Sequence, residues 1–264
     1  MDLGLAGRTC VVTGASRGIG RATTAALLDE GASVLAVARG EEVLAEAAAE
    51  LGSGDRLATL ALDVAASGAG ERVAAHCSEA LGPVDVLVNN AGTSFNRPLE
   101  ELEDLDWHAQ WELHVMASLH LMQATVPAMA ERGWGRVVNV CSSSGKRPSE
   151  SNAAYSVTKA AQLSLSRVFA DHYASRGVRV NAVAPGPVET PLWLDPGGMA
   201  EQVASAQGTS REEVLEATRA KVPIGRFGTA EEIAGTVVFL CSEAASNVSG
   251  AAWSVDGGSV PIIL

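Results

Sequence analysis

At 264 residues the chain is long for one domain but normal for a single α/β unit, and 47% hydrophobic against 19% charged residues excludes a disordered chain. The net charge of -12, with no compensating basic cluster, argues against a nucleic-acid partner or an anionic membrane surface. No run approaches the ~18 apolar residues of a membrane span.

In chain order, Thr9–Thr13 is an apolar strand that ends in the glycine turn Gly14–Gly20, and Arg21–Glu30 follows as a helix stopped by Gly31. Ser33–Ala38 is a second strand and Glu41–Leu51 a second helix, closed by Gly52. Leu57–Leu62 runs into Asp63, then Gly70–Leu81 is helical, and Val84–Val88 leads to Asn89–Gly92. One long helix is predicted over Asp104–Arg132, with Pro127 late in it. Arg136–Val140 is strand five, its helix spans Ala154–Ser175, and Val178–Ala184 is strand six, broken by Pro185, Gly186 and Pro187. Met199–Lys221 reads as one or two helices of an insertion around residues 190–222, Glu231–Cys241 as another helix, and Ala252–Val255 as a last strand. Alternating strands and helices with no repeat and no change of composition predict one domain over residues 1–264. Its fold is a doubly wound, Rossmann-type parallel sheet with helices on both faces. In such a sheet the residues that follow strands gather along one edge, where ligands bind.

Four scattered cysteines, Cys10, Cys77, Cys141 and Cys241, show no metal or disulfide spacing and read as inert thiols of a reducing compartment. The start of the chain, flanked by Asp2 and Arg8, lacks the apolar core of a signal peptide, so the expected location is the cytoplasm. No cluster of His or Cys suggests a metal.

The chemistry concentrates between Cys141 and Lys159. Tyr155 and Lys159 stand four apart, on one face of a helix, and an ammonium beside a phenol pulls its pKa from about 10 toward neutrality. Ser142, across a loop, is placed to hydrogen-bond the same substrate oxygen. A surface Tyr and Lys on a solvated face is the plain alternative for the pair. Gly14, Gly18 and Gly20 form a tight turn with room for a pyrophosphate at a helix N-terminus, or only a structural turn. Arg39 closes strand two where an acid would chelate the ribose hydroxyls of NAD; with Arg17 it suits the 2′-phosphate of NADP, or it is an ordinary solvated arginine. Asp63 is either an acceptor for an adenine amine or the polar end of a strand. His114, inside the long helix, reads more readily as a packed residue than as a catalyst. The acidic run from Glu100 to Asp106 is a solvated helix entry.

Taken together, T-G-x-x-x-G-I-G (Thr13–Gly20), N-N-A-G (Asn89–Gly92), Ser142, Y-x-x-x-K (Tyr155–Lys159) and P-G-x-x-x-T (Pro185–Thr190) resemble the short-chain dehydrogenase/reductase family over essentially the whole chain, with 3-oxoacyl-carrier-protein reductases among the candidates. The resemblance implies an NADP(H)-dependent enzyme, with NAD(H) less favoured, acting on a small carbonyl or alcohol and working as a homotetramer or homodimer. It implies Tyr155 as acid/base, Lys159 as its partner and ribose ligand, and Ser142 as orienter of the substrate oxygen. His114 occupies the place where the family has an asparagine whose backbone anchors a water. Cofactor contacts are implied at Gly14, Ser16, Arg17, Gly18, Ile19 and Gly20, at Arg39, Asp63 and Val64, at Asn90, Ala91 and Gly92, and at Pro185, Gly186, Val188 and Thr190, besides Tyr155 and Lys159. Pocket walls are expected from Ser94–Arg97, Lys146–Asn152 and Leu192–Gln207, with Phe95, Trp193, Leu194 and Met199 as apolar lining. The rival readings are a non-catalytic NADP-binding regulator and a structural subunit whose partner carries the catalysis.

Overall fold

The computed structural model describes residues 2–262. Seven strands form one parallel sheet in the order β3-β2-β1-β4-β5-β6-β7: β1 Thr9–Thr13, β2 Ser33–Ala38, β3 Leu57–Ala61, β4 Val86–Asn89, β5 Gly135–Val140, β6 Val178–Pro185 and β7 Ala252–Val255. The central strands β1, β4 and β5 are buried throughout because both of their faces are covered. Side chains alternate across the sheet. Cys10 and Val12 of β1 pack on one face with Leu27 of α1 (Gly18–Asp29) and Leu44 of α2 (Glu41–Leu51). Val11 packs on the other with Val73 of α3 (Ala69–Ala80).

The strand order reverses between β1 and β4, which opens a crevice at their carboxyl ends. The doubly wound sheet expected from the alternating pattern is the one observed. Boundaries differ by one to three residues, chiefly at β4 and at α1, which begins inside the glycine turn at Gly18.

The helix predicted over Asp104–Arg132 runs unbroken to Glu131 but is not α-helical throughout. It is α4 (Asp104–Trp111), then a π turn (Glu112–Met116), then α5 (Ala117–Glu131), and the Ala117 amide reaches back to the Glu112 carbonyl. A π turn adds a residue to one helical turn and so re-aims its side chains. Here it turns His114 fully inward.

The catalytic-looking helix α6 (Ala153–Tyr173) is tied to the sheet by buried amides. Asn89 of β4 donates to Asn139 Oδ1 of β5 at 2.7 Å, and Asn139 Nδ2 donates to Ser166 Oγ of α6 at 2.7 Å. Beyond β6 lie α7 (Pro191–Leu194), α8 (Met199–Gln207) and α9 (Arg211–Lys221), so the predicted insertion holds a short extra helix before its two longer ones. Ala200, Leu215 and Phe227 form a small core there, with Trp193 and Leu194 packed against it. A capping box of Ser210 and Glu213 starts α9. Next comes α10 (Ala230–Cys241), whose Ile233 and Val237 join Leu27 on the first face. Among the described residues no helix is long and apolar enough to cross a membrane.

Replacing Asn139 by Leu strands the Asn89 amide in a dry interior. The expected cost is about 1–3 kcal/mol, read as a lower urea midpoint at unchanged slope.

Candidate active site

The crevice between β1 and β4 is stitched by side chains. Thr13 Oγ1 accepts from the backbone amides of Asn90 and Ala91, both at 3.0 Å, and donates to the Val88 carbonyl at 3.3 Å. Asn90 Nδ2 returns to the Thr13 carbonyl at 2.8 Å and to that of Gly14 at 3.3 Å. The turn between is set by Gly14, whose φ of +66° favours glycine. A Cβ at Gly20 would run into the Gly14 carbonyl and the Asn90 amide, so only glycine lets α1 start this close to β1. Arg17, at the N-cap of α1, makes no side-chain cap bond, and the first turn of that helix carries no acid. Its N–H end is therefore suited to an external anion.

A cavity of about 560 Å³ extends from this turn in both directions. Toward the β2 and β3 ends it is walled by Arg39, exposed, and by Asp63 and Val64. Asp63 Oδ1 also accepts from the Ala65 amide at 3.0 Å, an ordinary turn bond, so both readings of that residue have a counterpart here. Toward β5 and β6 the wall holds Ser142, Tyr155, Lys159, Pro185 to Val188 and Thr190. The sequence-predicted residues are thus brought together on one cavity, with two departures. Gly20 sits behind the turn, packed on Gly14, and His114 sits behind Gly92; neither lines the cavity.

The outer wall is also revised. Ser94, Asn152, Leu192, Trp193 and Met199 face the cavity, whereas Phe95 and Leu194 do not. Leu194 packs into the core of the insertion, and Lys146 reaches instead to the β7 edge, donating to the Ala252 carbonyl at 2.6 Å and to Ser254. Arg17 lies 3.6 Å from Asp195 across the mouth, an exposed pair of small energetic weight.

Ser142 is buried at the end of β5 and caps a short turn by accepting from the Ser144 amide at 3.1 Å. Tyr155 and Lys159 share one face of α6, with Nζ 5.7 Å from the phenol ring centre. The ammonium donates to the Val140 carbonyl at 2.9 Å and to Gln162 Oε1 at 3.0 Å. Burial lowers Lys159 to about 8, with Cys141 opposing. Burial also pushes Tyr155 up to about 12, although its hydrogen bond with Ser142 favours the phenolate. The expectation of a phenol pulled down by the ammonium is therefore not what this protein shows. Removal from water is the largest influence on this phenol, and the Ser142 hydrogen bond opposes it only in part.

His114 Nδ1 lies 3.0 Å from Thr158 Oγ1, and Thr158 donates its single proton to the Tyr155 carbonyl at 2.9 Å. Thr158 can then only accept from the histidine, so Nδ1 carries the proton. Nε2 accepts from the Thr93 amide at 3.3 Å. Burial first, and the Lys159 ammonium second, hold the ring well below its usual pKa. The ring stands edge-on to Tyr155, 5.3 Å between centres.

Residues not singled out from the sequence also belong here. Thr13 organises the turn, Thr158 orders His114, and Gln162 and Ser118 back Lys159. Gln162 stands three residues beyond Lys159 on α6, a spacing that on its own marks only a shared helix face. Ser94 Oγ is buried beside the cavity without a hydrogen-bond partner.

The family model described as enoyl-(acyl carrier protein) reductase matches residues 14–259. Among curated relatives, the chain is 34% identical to 3-oxoacyl-(acyl-carrier-protein) reductase FabG of Thermotoga maritima, covering 97% of this chain and 99% of that one. It is 33% identical to sorbitol dehydrogenase of Cereibacter sphaeroides, covering 97% and 98%. Among solved structures, L-sorbose reductase of Gluconobacter frateurii, complexed with NADPH and L-sorbose, matches with a TM-score of 0.92 at 36% identity over 100% of both chains.

Because its ring is held by two directional bonds in a dry site, His114 is expected to remain neutral and Nδ1-protonated at a pH where a free imidazole is already charged. Long-range nitrogen–proton correlation spectra of the imidazole check this, and an Nε2-protonated or charged ring at that pH would contradict it.

Proposed function

Since this chain belongs to the short-chain dehydrogenase/reductase family, we propose that it is an NADPH-dependent carbonyl reductase, running in reverse as an alcohol dehydrogenase. The observation that carries the reading is the single cavity that joins an anion-accepting glycine turn, an exposed Arg39 and the Ser142–Tyr155–Lys159 group. NADP(H) fits the cradle: the uncapped N–H end of α1 would receive the pyrophosphate, Arg39 the 2′-phosphate, Lys159 the ribose hydroxyls and Thr190 the carboxamide. The chemistry supplied there by bound nicotinamide is hydride transfer to the carbonyl carbon. Ser142 donates a hydrogen bond that orients the carbonyl oxygen, and Tyr155 delivers the proton to it. A phenol held at about 12 is fully protonated at neutral pH, which suits a donor.

The intact triad weighs against the regulator reading. Cytoplasmic location suits the four buried free thiols, three of which burial pushes up to about 12. Assembly into a homotetramer or homodimer suits the apolar side chains Leu105, Val157 and Val168 left exposed on α4 and α6.

Initial rates of NADPH and NADH oxidation against L-sorbose, a 3-oxoacyl thioester, a cyclic ketone and an aromatic aldehyde test the reading. NADPH is expected to be preferred, and the carbonyl reduced fastest identifies the substrate class. Tyr155→Phe should lower turnover by a factor of about 10²–10⁴ while NADPH still binds. No turnover of any carbonyl, or full turnover by Tyr155→Phe, would sink it. In the same assay Arg39→Ala should raise the KM for NADPH roughly tenfold and leave that for NADH in place.

A further inference from the structure

Behind the cavity a line of buried hydrogen bonds runs from Lys159 to the π turn. Lys159 Nζ donates to Gln162 Oε1 at 3.0 Å, Gln162 Nε2 donates to Ser118 Oγ at 2.8 Å, and Ser118 donates to the His114 carbonyl at 2.8 Å. All four residues are at most 4% exposed. The direction of every link is fixed. An ammonium has no acceptor, so the amide must present its oxygen to it. Ser118 has one proton, spent on His114, so it must accept from the amide nitrogen. Flipping the amide would set NH₂ against ammonium and oxygen against a hydroxyl with no proton left to give.

From this geometry we infer that Gln162, held by Ser118, is a positioning residue for Lys159: it fixes the direction of the ammonium and helps keep it charged in a site removed from water. Two apolar side chains would fill the same space between α5 and α6 with no polar group to satisfy. The amide–hydroxyl pair supplies what they cannot, a second acceptor for a charge whose first is the Val140 carbonyl. Two of the three N–H donors are thereby spent on the protein side. The third is left for the cavity, where a Cβ on Gly92 would lie 3.7 Å from Nζ. The Ser118 hydroxyl occupies one lone pair of the His114 carbonyl, the group at which the resemblance to the family implies a bound water, and the other lone pair is left for it. The titratable groups that face the ammonium are Tyr155 on its own helix, Cys141 at the end of β5 and His114 on the π turn. The catalytic meaning of the inference rests on the proposed function; the positioning itself does not.

The chain has only three lysines, Lys146, Lys159 and Lys221, so the Lys159 Cε resonance can be followed directly in protein labelled with ¹³C-lysine. In the wild-type protein its titration midpoint is expected at about 8. Gln162→Glu, nearly isosteric, places a carboxylate against the ammonium and should raise its proton affinity tenfold or more, whereas Gln162→Leu removes an acceptor and should lower it by about tenfold. Ser118→Ala, which frees the amide to turn, should lower it by a smaller factor. A residue that merely packs would lower stability without moving the midpoint in opposite directions. Should Gln162→Leu fail to fold, Gln162→Glu decides, and an unmoved midpoint in that variant overturns the inference. Opposite shifts in a protein that reduces no carbonyl would remove the proposed function and leave this inference standing. Turnover with an unmoved midpoint would do the reverse.

Discussion

Where β1 and β4 lie side by side, the chain departs from them in opposite directions, and the sheet must be held together at the place it opens. Everything at the site depends on that constraint. The Thr13 hydroxyl serves two amides and one carbonyl, and Asn90 binds back to the two carbonyls that begin the glycine turn. No backbone ladder can extend there, so side chains replace it. With both strand ends pinned, the N–H end of α1 is fixed relative to the end of β5, and hence to Ser142. The buried Asn89–Asn139–Ser166 line extends the same logic to α6 and its two functional side chains.

The cavity is electrically graded along its length. Arg39 and Arg17 at one end are exposed, where charge costs little and binds weakly. Lys159, at the other end, is 3% exposed. Its charge is costly to keep, and for that reason acts strongly on whatever lies beside it. Recognition of a hydrated phosphate belongs at the wet end and proton transfer at the dry end, and the fold assigns them so by the depth at which each strand stops.

Most of the architecture was legible in the sequence because it rests on local signals. Apolar runs of five or six residues, each followed by a polar or glycine residue, mark the ends of parallel strands, and their alternation with helices fixes which edge they share. The π turn was not legible: Glu112–Met116 has the composition of any helix, and its extra residue is imposed by packing of His114 against Thr158 and Tyr155. The direction of the Tyr155 shift was misjudged for a related reason. Spacing shows that two side chains share a face, not how much water reaches them. Gln162 and Ser118 escaped notice because each is an ordinary polar residue in an amphipathic helix, and only the meeting of α5 and α6 makes them a pair. Phe95 and Leu194 show the converse, since apolar character near a site does not say which cavity a side chain enters.

The segment from Pro191 to Phe227 closes the outer wall while packing chiefly on itself, around Ala200, Leu215 and Phe227 with Trp193 against them. Its third helix begins with its own capping box and borrows no end-group from the sheet. The crevice and the buried lysine therefore share few contacts with the wall that meets the substrate. Sequence change in this segment can therefore recut the wall that meets the substrate while the proton-handling end stays as it is.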